Sequence, residues 1–336
     1  MQDSKHPAVF VQTNEADGNR VIAFRRDADG SLSELGSYAT GGAGDGTPHL
    51  TSQGSVVLSS DGAHLFVTNA GSGDVSVLAV NENGLALVDT VTTGPSPKSV
   101  AEHGGIVYVL NTGEPSLTGF RLEGRQPIGD YPLAEGSDPA QVGFSPDGSA
   151  LVVTDRGTNA IVKFAVDDSG RLGDPEVSPS SGPTPYGFAF AGDTLVVTEA
   201  FGAETGKAAA SSYRLSSGAA IPVSRSIGNG RSEICWAVVT NDGRYAFTTN
   251  FADGAVSRYA IGDDGSLVLE DAAAGVSADG QTGLRDEDLS GDGRFLYAVD
   301  ADSQRVFAWA VQAGGELQPV GSWAGLPATA AGLAAS

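Results

Sequence analysis

The chain has 336 residues, of which 47 are glycine, 40% are apolar and the formal net charge is −22. An acidic chain without a Lys/Arg cluster repels phosphate backbones and anionic membranes, so we expect neither nucleic-acid binding nor membrane-surface binding. The single cysteine, Cys235, excludes an internal disulfide framework and any all-cysteine metal site.

Seven short apolar strands recur along the chain, and each stops at an Asn, Asp or Glu residue. They read FVQTN, LFVTN, YVLN, LVVTD, LVVTE, AFTTN and LYAVD. Their last residues, called the stop residues below, follow one another at intervals of 42 to 55 and are Asn14, Asn69, Asn111, Asp155, Glu199, Asn250 and Asp300. A repeat of this length that fills the chain predicts a single repeat architecture.

Two Gly-containing turns accompany each of these strands. The turn before the strand reads SSDG, SPDG, TNDG or SGDG, and the turn after the next strand reads, for example, DADGSL or DDGSL. Asp-Gly and Asn-Gly pairs supply the positive φ of tight hairpins, and the strands between them alternate with period 2. We therefore predict an all-β protein, a seven-bladed β-propeller with four antiparallel strands in each blade.

The two ends of the chain predict how the ring closes. The first repeat, from Ala8, lacks the strand that should precede it, and residues 326–333 form one strand left over. We infer that this C-terminal strand is the innermost strand of the first blade, which hides sheet edges. No linker interrupts the repeats, so residues 1–336 are read as one domain whose first seven residues are expected to be flexible.

Repeat register places the candidate ligand-binding residues on one face, called the top face. In each blade the inner strand runs from the top face to the Asp-Gly turn, and the second strand runs back to the top face. The stop residues and the first residues of the inner strands therefore lie around one funnel. We take this funnel as the most plausible binding pocket. The candidate ligand-binding residues are Gln141, Tyr186 and Trp236 at inner-strand starts, and Asn69, Asn111, Asp155, Asn250 and Asp300 among the stop residues. Asn and Asp also cap turns with their own side chains, which is the structural alternative.

Three further residues are candidates for catalysis. Glu199 is a poor turn former that leads into a long loop, 200–213, and could be a general base under a mobile segment or an exposed charge. Arg285 and Asp286 begin a charged run on an inner strand, where burial is costly without partners. Arg285 could hold a substrate carboxylate and Asp286 could move a proton, or an Arg/Asp pair could join neighbouring blades.

Histidines and metal ligands are sparse. His49 lies in the Gly-rich loop 41–49 and is the one histidine placed to enter the funnel, so it is the fourth catalytic candidate. Four scattered histidines cannot form a His-rich cage, and no cofactor is expected. A divalent cation such as calcium, held by Asn, Asp and Glu oxygens, is the alternative.

Four segments, 52–78, 143–155, 182–190 and 235–250, resemble the lactonase family of seven-bladed propellers, which includes propeller-type 6-phosphogluconolactonase and the carboxymuconate lactonizing enzyme. The resemblance runs from Ala8 to Leu333. It implies a lactonase-like hydrolase or cycloisomerase that acts on a small lactone or carboxylate-bearing ring in the top-face funnel. The alternative is a non-catalytic propeller whose rim binds a ligand or partner.

The remaining expectations concern partners and location. We expect a small-molecule substrate and a monomer. The N-terminus MQDSKHPAVF has no apolar signal-peptide core, and no apolar run reaches membrane-spanning length. A soluble, cytoplasmic protein is therefore expected, although a secretory signal removed by processing would leave no trace.

Overall fold

The computed structural model describes residues 7–48, 50–51, 53–277 and 281–336. The predicted role of His49 therefore lies outside the described residues, as does the expectation for residues 1–6. Within the described part, 28 strands form seven four-stranded antiparallel sheets. This arrangement confirms the predicted seven-bladed propeller.

The strands are numbered in chain order, and the blades are numbered from the N-terminus. Blade 1 contains β1 (Ala8–Gln12), β2 (Arg20–Arg26) and β3 (Leu32–Ala39). Blade 2 contains β4 (Val56–Leu58), β5 (His64–Asn69), β6 (Asp74–Asn81) and β7 (Gly84–Thr92). Blade 3 contains β8 (Pro97–His103), β9 (Ile106–Asn111), β10 (Ser116–Arg121) and β11 (Pro127–Pro132). Blade 4 contains β12 (Pro139–Phe144), β13 (Ala150–Asp155), β14 (Ala160–Ala165) and β15 (Glu176–Pro179).

The C-terminal half follows the same plan. Blade 5 contains β16 (Pro185–Ala191), β17 (Thr194–Glu199), β18 (Ala209–Ser216) and β19 (Ala219–Gly228). Blade 6 contains β20 (Ile234–Val239), β21 (Tyr245–Asn250), β22 (Ala255–Ile261) and β23 (Leu267–Val276). Blade 7 contains β24 (Leu284–Leu289), β25 (Phe295–Asp300), β26 (Arg305–Val311) and β27 (Leu317–Ala324), and β28 (Ala331–Ala335) ends the chain.

Strand β28 closes the ring as the innermost strand of blade 1. It pairs antiparallel with β1, and Ala334 stands opposite Phe10. The strand starts later than the predicted segment 326–333, because Pro327 begins a turn in which the N–H of Ala330 donates to its carbonyl. The predicted closure is confirmed, with its boundary shifted.

The core is divided into apolar clusters that lie between consecutive blades. Side chains alternate along the second strand of each blade, so Leu65 and Val67 pack towards blade 1 whereas Phe66 packs towards blade 3. The same arrangement is found at the other blade interfaces. Each blade buries both of its faces, which explains the near-continuous apolar runs before the stop residues.

Helical structure in the described residues consists of three 3₁₀ turns, at Glu123–Arg125, Phe201–Ala203 and Phe251–Asp253. The second of these corrects a prediction: the loop expected over 200–213 is shorter, because β18 begins at Ala209 and pairs with Glu199. None of the helices in the described ranges is long and apolar enough to cross a membrane.

Candidate functional site

Two cavities lie near the axis of the ring. The upper cavity opens at the top face, has a volume of about 410 Å³ and is lined by Thr51, Arg156, Thr184, Tyr186, Ala200, Gly202, Ala203, Glu233, Cys235, Phe251 and Arg285. The lower cavity, of about 400 Å³, lies between the inner strands and reaches the turns at the opposite face. Two of the predicted site residues, Tyr186 and Arg285, thus line one cavity.

Arg285 is the most constrained cation of the upper cavity. Its guanidinium lies 4.9 Å from the centre of the Phe251 ring, and its Nη2 is 3.6 Å from Oδ1 of Asp302. The side chain is only 4% exposed, and its Nε and Nη1 groups have no hydrogen-bond partner among the described residues. Burial lowers the pKa of this guanidinium. Two unpaired, buried N–H donors of a cation favour an anionic or strongly polar ligand oxygen.

Arg156 forms another part of the wall of the upper cavity. Its guanidinium lies 5.0 Å from the centre of the Tyr186 ring, and Nη2 forms a 2.7 Å ion pair with Asp138. Burial raises the pKa of Tyr186 well above its ordinary value, and its hydroxyl has no hydrogen-bond partner. Tyr186 therefore keeps its hydroxyl neutral, and Arg156 is paired with Asp138.

Glu233 places a carboxylate in the same cavity. It precedes β20 and has φ of 54°, a left-handed conformation that Ser96 and Thr184 also adopt at the same position of blades 3 and 5. Burial raises the pKa of the neighbouring Cys235 thiol, and the charge of Glu233 raises it further. The thiol is therefore protonated and is no candidate nucleophile.

Asp286 lies at the boundary between the two cavities. Its side chain lines the lower cavity, yet its charge raises the pKa values of Tyr186 and Cys235 in the upper one. Burial raises the pKa of Asp286 to about 7. Three smaller effects lower this pKa: a backbone hydrogen bond from Gly332, the charge of Arg285 and a hydrogen bond from the Trp236 side chain. A carboxyl group with this pKa can exchange a proton near neutral pH.

Trp236 lies behind the wall of the upper cavity. Its ring is fully buried and meets the Tyr186 ring edge-on, with centres 5.8 Å apart. Trp236 supports Tyr186 and Asp286, and it lines neither cavity.

Glu199 lies away from both cavities. It is 0% exposed, and its Oε1 accepts hydrogen bonds from the N–H of Gly182 at 2.8 Å and from Ser211 at 2.7 Å. Its Oε2 accepts a bond of 2.6 Å from Ser226. Glu199 is thus neither an exposed charge nor a base above the funnel: it joins the strands of blade 5 to the loop before them.

Other stop residues have the same structural function. The side chain of Asn69 is bonded to Asn19, Thr40, Asp74 and Ser76. Oδ1 of Asp155 accepts from the backbone N–H groups of Gly157 and Thr158 in its own turn and of Asp138 before β12. Asn111 and Asn250 donate to residues of the next strands, β10 and β22, and Asp300 accepts from the N–H of Ser303 in the loop that follows it. None of these side chains lines either cavity, although Oδ1 of Asn111 and Oδ2 of Asp300 have no hydrogen-bond partner among the described residues.

Two glutamines bond to the backbone of a facing inner strand. Gln141 accepts from the N–H of Phe188 at 2.6 Å and donates to its carbonyl at 3.1 Å. Gln53 makes the same pair of bonds to Ala237, at 3.0 and 2.9 Å. Blades 2 and 6 are not neighbours, so Gln53 crosses the central channel. Both amides line the lower cavity and are saturated by backbone groups.

Sequence reasoning did not select Glu233, Arg156 or Phe251. The sequence did contain a signal for Glu233. In blades 3, 4 and 5 the residue before the inner strand is Ser96, Asp138 or Thr184, and each of these is followed by Pro. In blade 6 the same position is Glu233, and it is followed by Ile. In the part of the chain that the structure describes, no group of three or more His, Cys, Asp or Glu side chains is arranged to hold a metal ion.

Comparison with known proteins adds to this geometry. A sequence model of the family described as "Lactonase, 7-bladed beta-propeller" matches residues 4–127, 107–201 and 200–330. No curated protein matches the chain significantly.

Solved structures share the fold at low sequence identity. A functionally unknown protein from Desulfotomaculum acetoxidans is 14% identical with a TM-score of 0.77, and the match covers 98% of this chain and 99% of that one. A proposed 6-phosphogluconolactonase from Bacteroides fragilis is 17% identical with a TM-score of 0.75, covering 100% and 99%. The periplasmic gluconolactonase of Pseudomonas aeruginosa is 17% identical with a TM-score of 0.75, covering 98% of each chain.

Proposed function

We propose a lactone hydrolase function, centred on the upper cavity, for this chain, which belongs to the lactonase family of seven-bladed β-propellers. The observation that carries the proposal is the nearly buried guanidinium of Arg285, with two nitrogens that lack a hydrogen-bond partner among the described residues, in the wall of a cavity that Glu233 also lines. Ring opening requires a stabiliser for the developing oxyanion and a group that activates water. The two side chains supply one each.

Arg285 receives the carbonyl oxygen of the lactone. Its stacking on Phe251 and its ion pair with Asp302 hold the guanidinium in place before substrate arrives. Such preorganised donors stabilise the charge that develops in the transition state more than they stabilise the neutral carbonyl. The hydroxyl of Tyr186 is a second, neutral donor on the same wall.

Glu233 acts as the general base. It takes a proton from water, the water oxygen bonds to the carbonyl carbon, and the carbonyl oxygen carries the negative charge at Arg285. When the carbon–oxygen bond of the ring breaks, the protonated Glu233 returns its proton to the leaving ring oxygen. The oxyanion re-forms the carbonyl as that bond breaks, and the product is a hydroxy acid, which releases its carboxylic proton to solvent and becomes a hydroxycarboxylate. Asp286 is the second candidate for proton transfer.

The cations of the cavity limit the substrate. Arg156 and Arg285 are its only Lys or Arg side chains among the described residues, and Asp138 balances the first of them. With Arg285 assigned to the carbonyl oxygen and Arg156 paired with Asp138, the cavity suits a neutral lactone. A phosphorylated lactone carries about two negative charges, which this wall does not match.

A panel of lactones tests the proposal. The panel contains D-glucono-1,5-lactone, its 6-phosphate and a five-membered lactone with one carboxylate, and acid production is followed above the spontaneous rate. We expect saturable hydrolysis of an unphosphorylated member and the slowest hydrolysis of the phosphate. If no lactone is hydrolysed faster than in buffer while lactones still bind, the chain is the non-catalytic binding propeller considered above.

A further inference from the structure

The wall of the upper cavity has few polar groups besides those that the proposed reaction uses. The reaction assigns Arg285, Tyr186 and Glu233 to the ester group of the lactone. The rest of the wall is left to contact the other atoms of the substrate, in a volume of about 410 Å³ that suits a small organic molecule. The chemistry of this remaining wall therefore indicates which lactones the cavity binds.

Three of the remaining wall residues have polar side chains that are engaged within the protein. Oγ1 of Thr184 accepts from the N–H of Gly202 at 2.9 Å. Oγ1 of Thr51 accepts from Nη2 of Arg156 at 3.5 Å, and the same nitrogen is paired with Asp138. These contacts leave little hydrogen-bonding capacity in the described wall for the hydroxyl groups of a ligand.

A left-handed turn gives one side of the cavity its small side chains. Phe201, Gly202 and Ala203 have φ of 49°, 61° and 64°. The N–H of Ala203 donates to the carbonyl of Ala200 at 3.0 Å. Phe201 points towards Gly182, where a Cβ would lie 2.8 Å from its ring, and it does not line the cavity. Ala200, Gly202 and Ala203 line the cavity instead, so this wall leaves room for a substituent of the substrate.

Two further side chains make the wall apolar. Phe251 is half-buried and lines the cavity with its ring. Cys235 directs its protonated thiol to the backbone carbonyl of Glu233 at 3.3 Å, and it behaves as a small apolar side chain. Such a wall favours hydrocarbon, whereas a hydroxyl group that loses its water there finds no partner.

We propose that the upper cavity binds an uncharged lactone whose ring carries an apolar substituent, such as an alkyl chain, and that this substituent packs between the left-handed turn and Phe251. The inference rests on the proposed function and names the ligand class of its site. A sugar lactone has hydroxyl groups around its ring, and they would lose water without gaining partners. A charged substituent would meet no unpaired cation in the described wall, because Arg156 and Arg285 each pair with a carboxylate.

Lactams test the binding separately from turnover, because water opens an amide ring far more slowly than an ester ring. Calorimetry compares δ-valerolactams that carry a methyl, propyl or pentyl group on the ring carbon next to nitrogen with D-glucono-1,5-lactam. We expect the affinity to rise by about three- to fourfold for each methylene group that is buried. The sugar lactam should bind at least about tenfold more weakly than the pentyl lactam.

Ala203→Asn tests where the alkyl group lies. Asparagine tolerates the left-handed φ of Ala203 and adds an amide to the wall, so the affinity for the pentyl lactam should fall about fivefold. Gly218→Asn is the matched control, because Gly218 has φ of 86°, nothing within 4 Å of an added Cβ, and a place in the turn between β18 and β19. Its affinity should stay within about twofold of wild type, on the order of experimental scatter.

The outcomes separate the ligand class from the reaction. An affinity that is independent of chain length overturns the proposal, as does a sugar lactam that binds as tightly as the pentyl lactam. Saturable binding of the pentyl lactam without hydrolysis of the matching pentyl lactone supports the ligand class and contradicts the proposed hydrolase. Hydrolysis of D-glucono-1,5-lactone together with tighter binding of the sugar lactam keeps the hydrolase and overturns the ligand class.

Discussion

The guanidinium of Arg285 lies 4.9 Å from the centre of the Phe251 ring, on one wall of the upper cavity. Phe251 starts the short 3₁₀ turn that follows a stop residue of blade 6, whereas Arg285 is the second residue of β24, the inner strand of blade 7. The contact therefore joins two blades at the top face. The buried cation shares this cavity with Glu233, and this combination distinguishes the cavity from the structural polar networks elsewhere in the ring.

Replacing Glu by Gln at Glu233 and at Glu199 distinguishes a catalytic carboxylate from a structural one. Glu233→Gln should lower kcat on the order of 10²–10⁴-fold, because the amide cannot accept a proton from water. Its Tm should be unchanged, since the Glu233 side chain makes no hydrogen bond within the part of the chain that the structure describes. Steady-state hydrolysis of the best lactone and thermal unfolding are the two measurements.

Glu199→Gln is the matched control. The amide cannot accept all the bonds that Gly182, Ser211 and Ser226 donate, so the free energy of unfolding should fall by about 1–3 kcal/mol. The kcat of the folded variant should stay within a few-fold of wild type. Loss of turnover in Glu199→Gln at an unchanged Tm would return the catalytic assignment to Glu199.

Stability should decrease as pH rises from about 4 to 8. Burial raises the pKa values of Asp286 and Asp288 to about 7 from 3.8, so the native state binds these protons more tightly than the unfolded chain does. Their stabilising effect is complete below the unfolded value and is lost as pH rises through the folded one. The turn carboxylates Asp147 and Asp242 have pKa values of about 2 and act below this window.

Thermal unfolding between pH 4.5 and 8.5 measures this dependence. The decline of Tm with pH should be shallower in Asp288→Asn than in the wild type, because one titrating group is gone. A Tm that rises across this range in the wild type, or an identical slope in the variant, would show that these carboxyl groups ionise normally in the folded protein.

Two glycines with the same backbone conformation test how tightly blade 1 is closed. Gly62 and Gly332 have φ of 69° and 71°, so alanine is strained equally at both. A Cβ on Gly62 would meet nothing within 4 Å, whereas one on Gly332 would lie 2.2 Å from Oγ of Ser55 and 2.8 Å from a methyl group of Val56. Gly62→Ala should cost about 1 kcal/mol of unfolding free energy, and Gly332→Ala clearly more. If both variants lose the same unfolding free energy in chemical denaturation, β28 is not tightly packed against Ser55 and Val56.

The fold could be predicted because each blade repeats the same local chemistry. Asp-Gly turns such as those at Gly62 and Gly148 have the positive φ that the sequence demanded, and the strands between them alternate as predicted. Closure by β28 followed from counting strands. Its exact start depended on the turn at Pro327, which the repeat does not specify because no other blade has an equivalent segment.

The site could be predicted only in part, because hydrogen-bond partners come from distant residues. Glu199 looked exceptional among the stop residues, yet Ser211 and Ser226, which occupy its oxygens, lie on later strands of the same blade. The pairing of Gln53 with Ala237 connects residues 184 positions apart and leaves no local pattern. Arg285 was found because an Arg stands out on an inner strand, and Glu233 required comparison of blade 6 with the Pro-containing starts of other blades.

The most direct test of the account is the hydrolysis rate of Arg285→Met. Methionine keeps the apolar contact with Phe251 but removes both free N–H donors, so kcat should fall on the order of 10²–10³-fold. Tm should stay within a few degrees, because the buried cation makes only one ion pair. Arg244→Met, at an exposed ion pair on a bottom turn, should match the wild type in both measurements. A wild-type rate in Arg285→Met would contradict the proposed active site.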